Sequence, residues 1–320
     1  MSKPTVTVIG SLNYDLVTFT KKVPEGGETY QADAFETHMG GKGLNEAIAV
    51  SRLSPPDSIE TKMIGNVGTD EFGHTLKQYL IDNGVNVDQV ATVEGSSGVA
   101  VILVEEDSGE NRILITPGAN GKLKPRDEDY EKITGSFVIL QNEYPDTLKS
   151  ITWLRKNRPD FNICYNPSPF KPELITSELL GGIDLLIVNE GEAKDVAQHL
   201  GLLEGQQEEA NDMYALSQTL QKSINKSNIQ TVIITLGSKG CIYTTDEPRF
   251  LQANKVDKVV DTTGAGDTFF GGVVSSLALG KNIEEAVKFA TTASSLAIQK
   301  KGAAEGIPNY NEVTQNLLNN

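Results

Sequence analysis

The sequence predicts an α/β fold in which a doubly wound, mostly parallel sheet is flanked by helices and accompanied by a small second sheet. Short apolar runs of strand-like composition alternate with stretches of helical periodicity, which is typical of a parallel sheet covered on both faces. Two segments, 14–36 and 98–116, interrupt this alternation. They could form a lid over a cleft or simply decorate the edge of the domain.

The predicted elements follow one another in a regular order. The segment 98–116 reads as a hairpin, because apolar runs at 99–104 and 112–115 flank a polar, glycine-containing turn. The strands are expected at Thr5–Ile9, Ile59–Ile64, Phe137–Leu140, Phe161–Tyr165, Ile183–Val188, Thr231–Leu236 and Val256–Val260. The helices are expected at Gly43–Leu53, after a cap at Asp70, at 146–157, 190–201 and 208–225, and at Phe269–Leu279 and Ile283–Gln299.

Composition excludes several classes of protein. The net charge of −15 and the pI of about 4.7 argue against a nucleic-acid binder, which needs a basic face. No apolar run approaches the roughly 20 residues that span a bilayer, and no signal peptide precedes the first strand. Cys164 and Cys241 lie in apolar runs and are expected to be buried free thiols. We therefore expect a reducing compartment, the cytoplasm or also the nucleus.

The most informative motif is Asp261-Thr-Thr-Gly-Ala-Gly-Asp267, which precedes an apolar helix. Glycines at a helix start allow backbone N–H groups to point into one pocket, where they stabilise the charge of a phosphoryl group in transfer. Asp267 at the mouth of that pocket could accept a hydroxyl proton. The alternative is a glycine turn in which Asp267 only caps the helix.

Two early motifs could bind a polar ligand. Gly40-Gly-Lys-Gly43 turns into a helix that carries Asn45, but its spacing is not that of a Walker A loop. Asn13 and Asp15 follow the first strand, at the sheet edge where ligands of parallel sheets bind. One amide and one carboxylate match the donor and acceptor needs of vicinal hydroxyls. A tight turn and a surface turn are the respective alternatives.

Two further motifs follow later strands. Asn189 and Glu192 carry oxygen atoms suited to Mg²⁺ and its waters, although acidic residues also favour a helix start for dipole reasons. The run from Thr235 to Gly240 could present backbone N–H groups and the Ser238 hydroxyl to nucleotide phosphates. His38, His74 and His199 show no metal-ligand spacing, and the sequence has no nucleophile elbow.

Taken in this order, from Gly10 to about Pro308, these motifs resemble the ribokinase family of carbohydrate kinases. The resemblance implies that the small second sheet is a lid, and that the lids of two subunits can pair into a homodimer. It implies ATP as co-substrate, with Mg²⁺, and a small sugar as acceptor, with D-ribose and its 5-hydroxyl expected first. Nucleic acid and membrane are not expected as partners.

The resemblance also implies roles for individual residues. Asp267 corresponds to the catalytic base, and the anion hole is expected at Gly264, Ala265 and Gly266. The sugar-binding set is expected to be Asn13, Asp15, Gly41, Lys42, Asn45, Glu143 and Asp267. The nucleotide is expected at Asn189, Thr235, Gly237, Ser238, Gly240, Gly266 and Thr291. Asn189 and Glu192 are expected to organise Mg²⁺ through water.

A monovalent cation, usually K⁺, is a further implication of the resemblance. Its expected positions, largely through backbone carbonyls, are Asp261, Thr263, Ala297, Lys300, Gly302 and Gly306. This sequence departs from many relatives at Glu46, where they carry Gln, at Gly306, where bacterial relatives often carry Ser, and at Thr291, where a His is common.

Three functions remain open from the sequence. The first is phosphorylation of ribose. The second is a kinase of the same family for another acceptor, such as fructose, deoxyribose or, as in 6-phosphofructokinase, a sugar phosphate. The third is a non-catalytic sensor of sugar or nucleotide, against which Asp267 and the Asn189–Glu192 pair argue. Adenosine kinase is disfavoured because its early glycine motif usually lacks the lysine found at position 42.

Overall fold

A nine-stranded sheet forms the centre of the protein in the computed structural model, which describes residues 3–105, 110–203, 212–227 and 229–319. Helices flank this sheet, and a separate four-stranded sheet lies beside it. The strands are β1 (Thr5–Ile9), β2 (Asn13–Thr20), β3 (Ala34–Gly40), β4 (Glu60–Val67), β5 (Val85–Thr92), β6 (Gly98–Glu105), β7 (Asn111–Thr116), β8 (Phe137–Leu140), β9 (Asn162–Tyr165), β10 (Leu185–Asn189), β11 (Thr231–Thr235), β12 (Gly240–Thr244) and β13 (Pro248–Gln252). The helices are α1 (Lys42–Arg52), α2 (Glu71–Asp82), α3 (Asp127–Glu131), α4 (Thr147–Asn157), α5 (Ser177–Gly181), α6 (Glu190–His199), α7 (Met213–Ser223), α8 (Ala265–Ala278), α9 (Ile283–Ala297) and α10 (Tyr310–Asn319).

The large sheet has the order β13-β12-β11-β10-β9-β8-β1-β4-β5. Its pairs are parallel from β11 to β5, whereas β12 and β13 add an antiparallel edge. From β1 the chain proceeds to β4 and β5 on one side and to β8, β9 and β10 on the other. The direction of winding therefore reverses between β1 and β8, which is where open α/β sheets bind ligands.

The small sheet has the order β3-β2-β6-β7 and draws its strands from the two segments that break the alternation. Strand β2 pairs in parallel with β6, from Asn13 opposite Gly98 to Thr20 opposite Glu105. Strand β3 ends at Gly40, immediately before α1, and Asn13 at the start of β2 pairs with Gly40. This end of the small sheet therefore adjoins the glycine-rich turn of residues 40–43.

The predicted fold class is confirmed, but several predicted elements need correction. The run Val256–Val260 is not a strand, because it pairs with no strand among the described residues and its two terminal valines, Val259 and Val260, are exposed. Helix α7 begins at Met213 rather than at 208, and residues 208–211 lie outside the described part of the chain. The turn of the β6–β7 hairpin, residues 106–109, also lies outside it. Strands β5 and β13 and helices α3, α5 and α10 were not predicted.

Both cysteines are free and buried, and burial raises the pKa of each thiol. Within the described residues, no helix combines the length and the apolar character needed to cross a bilayer.

Helices α1 and α8 pack unusually closely. Gly271 of α8 lies directly against Ala49 of α1, and a Cβ placed on Gly271 would overlap the Ala49 side chain and lie 3.0 Å from the Val50 nitrogen. Only glycine permits this separation of the two helix backbones. The N-terminal ends of α1 and α8 are thereby fixed relative to each other.

We expect Gly271→Ala to destabilise the fold by about 1–3 kcal/mol, because an added methyl group in a close-packed core forces backbone displacement. Urea unfolding of both proteins measures the difference. Gly181→Ala is the matched control, since a Cβ at that exposed helical glycine meets no atom within 4 Å. Equal losses in the two variants would contradict the importance of the α1–α8 contact.

Candidate functional site

Glu143, one of the predicted sugar-binding residues, lies at the switch point between β1 and β8. Ser11 follows β1, Glu143 follows β8, and the Ser11 hydroxyl donates a hydrogen bond to the Glu143 carboxylate. The same carboxylate accepts a hydrogen bond from the backbone N–H of Lys42 at 2.9 Å. Glu143 therefore ties the loop after β1 to the start of α1.

Asp267 lies on the first turn of α8 and faces the first turn of α1. Its Oδ2 accepts a hydrogen bond from Asn45 Nδ2 at 2.8 Å, and its Oδ1 lies 3.6 Å from Lys42 Nζ. The residue is 8% exposed. One oxygen is thus anchored by an amide while the other is paired with a cation, which fixes the orientation of the carboxylate.

The turn before α1 requires glycine. Gly41 has φ +88, a conformation that strains any residue with a side chain. A Cβ at Gly41 would also lie 2.9 Å from the backbone nitrogen of Asn13. The close approach places Asn13, at the start of β2, beside the predicted sugar-binding turn.

Asp15 is a buried carboxyl whose Oδ1 has no hydrogen-bond partner among the described residues. Burial raises its pKa to about 7, and the charges of Glu143 and Glu305 contribute to the same shift. The carboxyl of Asp15 therefore changes its charge near neutral pH, where an unperturbed aspartate is already ionised.

The sequence interpretation noted Glu46 only as a departure, but the structure makes it part of the site. Glu46 is fully buried, accepts a hydrogen bond from Gln141 and lines a small cavity with Asp267. Burial and the nearby Asp267 charge raise its pKa well above the ordinary value.

Lys42 stays charged within this acidic group. Burial acts to lower its pKa, but the carboxyls of Asp267, Glu143 and Glu46 act in the opposite direction and prevail, so its pKa lies above its ordinary value. The ammonium group of Lys42 is consequently a fixed positive charge beside Asp267.

The N-terminus of α8 is uncapped. Gly264 precedes the helix with φ +73, no side chain caps it, and the backbone N–H groups of Gly266 and Asp267 have no acceptor among the described residues. A Cβ at Gly266 would meet no atom within 4 Å. Free N–H groups and the positive end of a helix dipole are features suited to an anion.

Two cavities meet at this uncapped helix end. The larger, of about 490 Å³, contains Thr235, Gly237, Ser238, Gly240 and Thr291, together with Ala265 and Gly266. The smaller, of about 160 Å³, contains Lys42, Glu46, Asn189, Glu192 and Asp267. Thr235 and Gly266 line both cavities. The structure therefore groups most of the predicted nucleotide residues on one side of Gly266 and Asp267, with Lys42 on the other.

The predicted magnesium pair forms a capping box at the start of α6. Asn189 Oδ1 accepts from Glu192 N at 2.8 Å, and a Glu192 oxygen accepts from Asn189 N at 3.0 Å. Asn166, directly after β9, donates to the same glutamate oxygen at 3.4 Å. No cluster of three or more His, Cys, Asp or Glu suited to a metal is found in the described ranges. One oxygen of each side chain of the pair is therefore engaged in the cap of α6.

Most of the predicted monovalent-cation positions lie in the segments before α8 and after α9. Gly306 approaches two backbone carbonyls: a Cβ there would lie 2.8 Å from the oxygen of Gly302 and 3.2 Å from that of Ala297. Asp261 accepts hydrogen bonds from Thr263 N at 2.9 Å and Gly302 N at 3.0 Å. Burial would raise the pKa of Asp261, but these bonds lower it below its ordinary value.

The side chain of Lys300 does not join the other predicted cation positions. Its ammonium group pairs with Glu312 of α10 at 3.2 Å. An ammonium group has no lone pair, so Lys300 can offer a cation only its backbone carbonyl.

Asn120 is a site neighbour that sequence reasoning missed. It is buried and donates a 2.8 Å hydrogen bond to the side chain of Asn13. Nothing in the local sequence marks it, because its partners lie more than 100 residues earlier in the chain. Asn166 could have been found, since it directly follows a predicted strand.

Comparison with known proteins identifies the family. The model of the pfkB family carbohydrate kinases matches residues 3–309. A ribokinase of Schizosaccharomyces pombe is 39% identical over 319 residues, covering 96% of each chain. A deoxyribokinase of Salmonella typhi is 31% identical and covers 98% of each chain. The solved structure of Arabidopsis thaliana ribokinase complexed with ribose and ATP is 32% identical, has a TM-score of 0.83 and covers 98% of each chain.

We expect Asp15→Asn to flatten the pH dependence of stability. The folded protein keeps the Asp15 proton up to about pH 7 and the unfolded chain loses it near pH 4, so the folded state binds more protons between these values. Wild-type stability therefore falls as pH rises through this window, whereas Asn cannot ionise.

The measurement is urea unfolding at several pH values. Relative to wild type, Asp15→Asn should gain about 3 kcal/mol of unfolding free energy between about pH 5 and pH 8. Asp88→Asn, at an exposed position, is the control and should show no such gain. Parallel curves of unfolding free energy against pH for Asp15→Asn and wild type would disprove the raised pKa of Asp15.

Proposed function

Because the chain belongs to the pfkB family of carbohydrate kinases, we propose that it transfers the γ-phosphoryl group of ATP to the 5-hydroxyl of D-ribose. The products are D-ribose 5-phosphate and ADP. The observation that carries this proposal is the position of Asp267 and the uncapped α8 terminus where the two cavities meet. The larger cavity holds the phosphoryl donor, and Asp267 and Lys42 in the smaller one face the acceptor hydroxyl. The predicted sugar-binding residues Asn13, Asp15, Asn45 and Glu143 lie outside the lining of both cavities.

The larger cavity suits the nucleotide. Its lining combines the turn after β11, which supplies Gly237 and Ser238, with Thr291 of α9. Apolar side chains such as Val259 and Phe269 offer a surface for a base, and glycine leaves room for phosphates. The ATP and ADP bound in solved relatives named ribokinase support this assignment.

The acceptor side provides the proton transfer. Asp267 removes the proton of the sugar hydroxyl as that oxygen forms its bond to the γ-phosphorus, and the bond from phosphorus to the ADP oxygen breaks. Asn45 and Lys42 hold the carboxylate in place during this step. The free N–H groups of Gly266 and Asp267 stabilise the charge on the transferring group. Asp267 is thus the proposed catalytic base.

The charges around the acceptor favour an unphosphorylated sugar. Among the described residues lining the smaller cavity, Lys42 is the only Lys or Arg, and it already pairs with Asp267. A substrate phosphate would need further cations. Ribose, deoxyribose and fructose therefore fit better than fructose 6-phosphate, and ribose is favoured by the relatives named ribokinase.

A non-catalytic sensor is the alternative from another class. Such a protein needs affinity but no base, and it has no need to orient a carboxylate. The hydrogen bond from Asn45 and the pairing with Lys42 orient Asp267 tightly at the cavity junction. This geometry favours catalysis over simple binding.

Two metal ions complete the proposal. The carbonyls of Gly302 and Ala297 converge beside Gly306, and with Asp261 they suit a monovalent cation such as K⁺, which would add positive potential beside the anion hole. Asn189 and Glu192 would hold the water shell of a Mg²⁺ bound with ATP, and that ion would supply positive charge to the phosphates.

We also propose that two copies pair through the small sheet, which forms the lid. Every residue of β7 is exposed, including Ile113, Leu114 and Ile115, and Phe35 of β3 is 61% exposed. An apolar strand at a sheet edge is a surface that soluble proteins normally cover. A second copy offers the same patch, as a two-fold symmetric contact requires.

The central test is Asp267→Asn. The amide keeps the size of the carboxylate but cannot take a proton, so we expect kcat for ribose to fall by a factor of about 10²–10⁴. ATP affinity, measured by calorimetry, should stay within about two-fold, because the nucleotide lies in the other cavity. Asp195→Asn, on the exposed face of α6, is the control.

The assay is coupled ADP release with ribose, deoxyribose, fructose, fructose 6-phosphate and adenosine, each with and without K⁺. Near-normal turnover by Asp267→Asn would refute its role as base. Sugar or nucleotide binding by the wild type with no ADP from any acceptor would favour the sensor.

Leu114→Lys tests the lid pairing. A charge placed on a side chain that is 70% exposed should leave the fold intact and convert the dimer to monomers in analytical ultracentrifugation. Leu318→Lys is the matched control, at an apolar residue that is 81% exposed on α10. A wild type that sediments as a monomer would contradict the proposal.

A further inference from the structure

We propose that Asn120 is a positioning residue that fixes the amide orientation of Asn13 and thereby sets which sugar hydroxyl pattern the site accepts. This inference rests on the proposed sugar-kinase function, in which Asn13 contacts the acceptor. Asn120 itself lies on a short turn at Gly118–Lys122 and need not touch the sugar.

The orientation of the Asn120 amide follows from the backbone. Its Oδ1 accepts a hydrogen bond from Leu12 N at 2.9 Å, and its Nδ2 donates to Leu12 O at 3.0 Å. A backbone N–H can only donate and a backbone carbonyl can only accept. The two bonds to one residue therefore determine which end of the Asn120 amide is oxygen and which is nitrogen.

The orientation of Asn13 then follows from Asn120. Asn120 Nδ2 donates its second hydrogen to Asn13 Oδ1, with 2.8 Å between the nitrogen and the oxygen. The side-chain oxygen of Asn13 must therefore face Asn120. The Asn13 Nδ2 donates to no acceptor among the described residues. It is left as a donor for a ligand, whereas the neighbouring Asp15 has an unpaired oxygen as acceptor.

The surroundings hold the amide pair in one arrangement. Both asparagines are buried, at 4% exposure for Asn13 and 2% for Asn120. A Cβ on Gly98, which pairs with Asn13 across β2 and β6, would overlap Asn120 Nδ2 and Asn13 Oδ1 and lie 2.8 Å from Leu12 O. Glycine at position 98 is thus required for the two amides to meet.

A sugar hydroxyl can both donate and accept a hydrogen bond, so it can pair with the free amide donor of Asn13. A sugar hydroxyl that accepts from Asn13 Nδ2 satisfies a buried donor, and a deoxy sugar leaves that donor unpaired. The direction of the Asn13 amide is therefore a determinant of discrimination between ribose and its deoxy analogues. Asn120 sets that direction through its hydrogen bond to Asn13, without contact with the sugar.

Asn120→Asp is the direct test. The introduced carboxylate can still accept from Leu12 N, but its second oxygen would face two acceptors, Leu12 O and Asn13 Oδ1. Rotation of the Asn13 amide relieves this repulsion and presents its oxygen to the sugar. We expect the preference in kcat/KM for D-ribose over 2-deoxy- or 3-deoxy-D-ribose to fall by about 5–150-fold, with the KM for ATP unchanged.

The matched control is Asn66→Asp. Asn66 is also buried and donates to Ala119 O in the same turn at 3.4 Å, but no hydrogen bond joins it to Asn13 among the described residues. This variant should lower stability and leave the sugar preference as in wild type. Asn13→Asp should reproduce the changed preference through the sugar-facing residue itself, which covers the case in which Asn120→Asp fails to fold.

A second readout separates positioning from a structural role. In an Asn13→Ala background, Asn120→Asp should cause no further loss of preference, because the amide through which it acts is gone. Additive losses, or an unchanged ribose preference in folded Asn120→Asp and Asn13→Asp, would overturn the inference. A wild type that phosphorylates none of the three sugars would instead overturn the proposed function itself.

Discussion

The close contact between α1 and α8 is the constraint on which the site depends. Gly271 lets the backbones of the two helices approach at Ala49, and the first turns of the same helices carry Lys42, Asn45 and Asp267. The Asn45–Asp267 hydrogen bond joins residues 222 positions apart in the chain. A wider helix separation would break this bond, release the carboxylate and part the two cavities that meet beside it.

The sequence predicted the fold class because a parallel sheet buried on both faces needs uninterrupted apolar strands. Strand β8 shows this in its simplest form, with all four residues buried. The same composition led to a wrong strand prediction at Val256–Val260. Its β-branched residues have no partner strand among the described residues, and some of them line the larger cavity. Strand β5 was missed because its burial pattern is irregular. Its sequence therefore shows neither the unbroken apolar run of a buried strand nor the alternation of apolar and polar residues of a half-buried one.

Several of the predicted site residues stand beside a local signal in the sequence, whereas Glu143 and Thr291 were implied only by the family resemblance. Lys42 follows a glycine turn, Glu192 follows a strand end, and Asp267 follows the Gly264-Ala-Gly266 run. The residues that were missed act through distant partners. Gln141 contacts Glu46 across 95 positions, and Asn120 contacts Asn13 across 107. No periodicity or spacing encodes such contacts; they arise only when the strands assemble.

The negative net charge of the chain opposes the binding of a polyphosphate, and the burial of carboxyl groups in the site reduces this opposition. A chain of net charge −15 must accept a polyphosphate next to several carboxyls. Burial raises the pKa of Glu46 well above its ordinary value and that of Asp15 to about 7, so both groups lose their protons at a higher pH than exposed carboxyls do. Lys42 retains its charge, and the uncapped α8 terminus adds positive potential without any side chain. The local field is therefore set by which carboxyls are buried and by one helix end, and it can oppose the sign of the net charge of the protein.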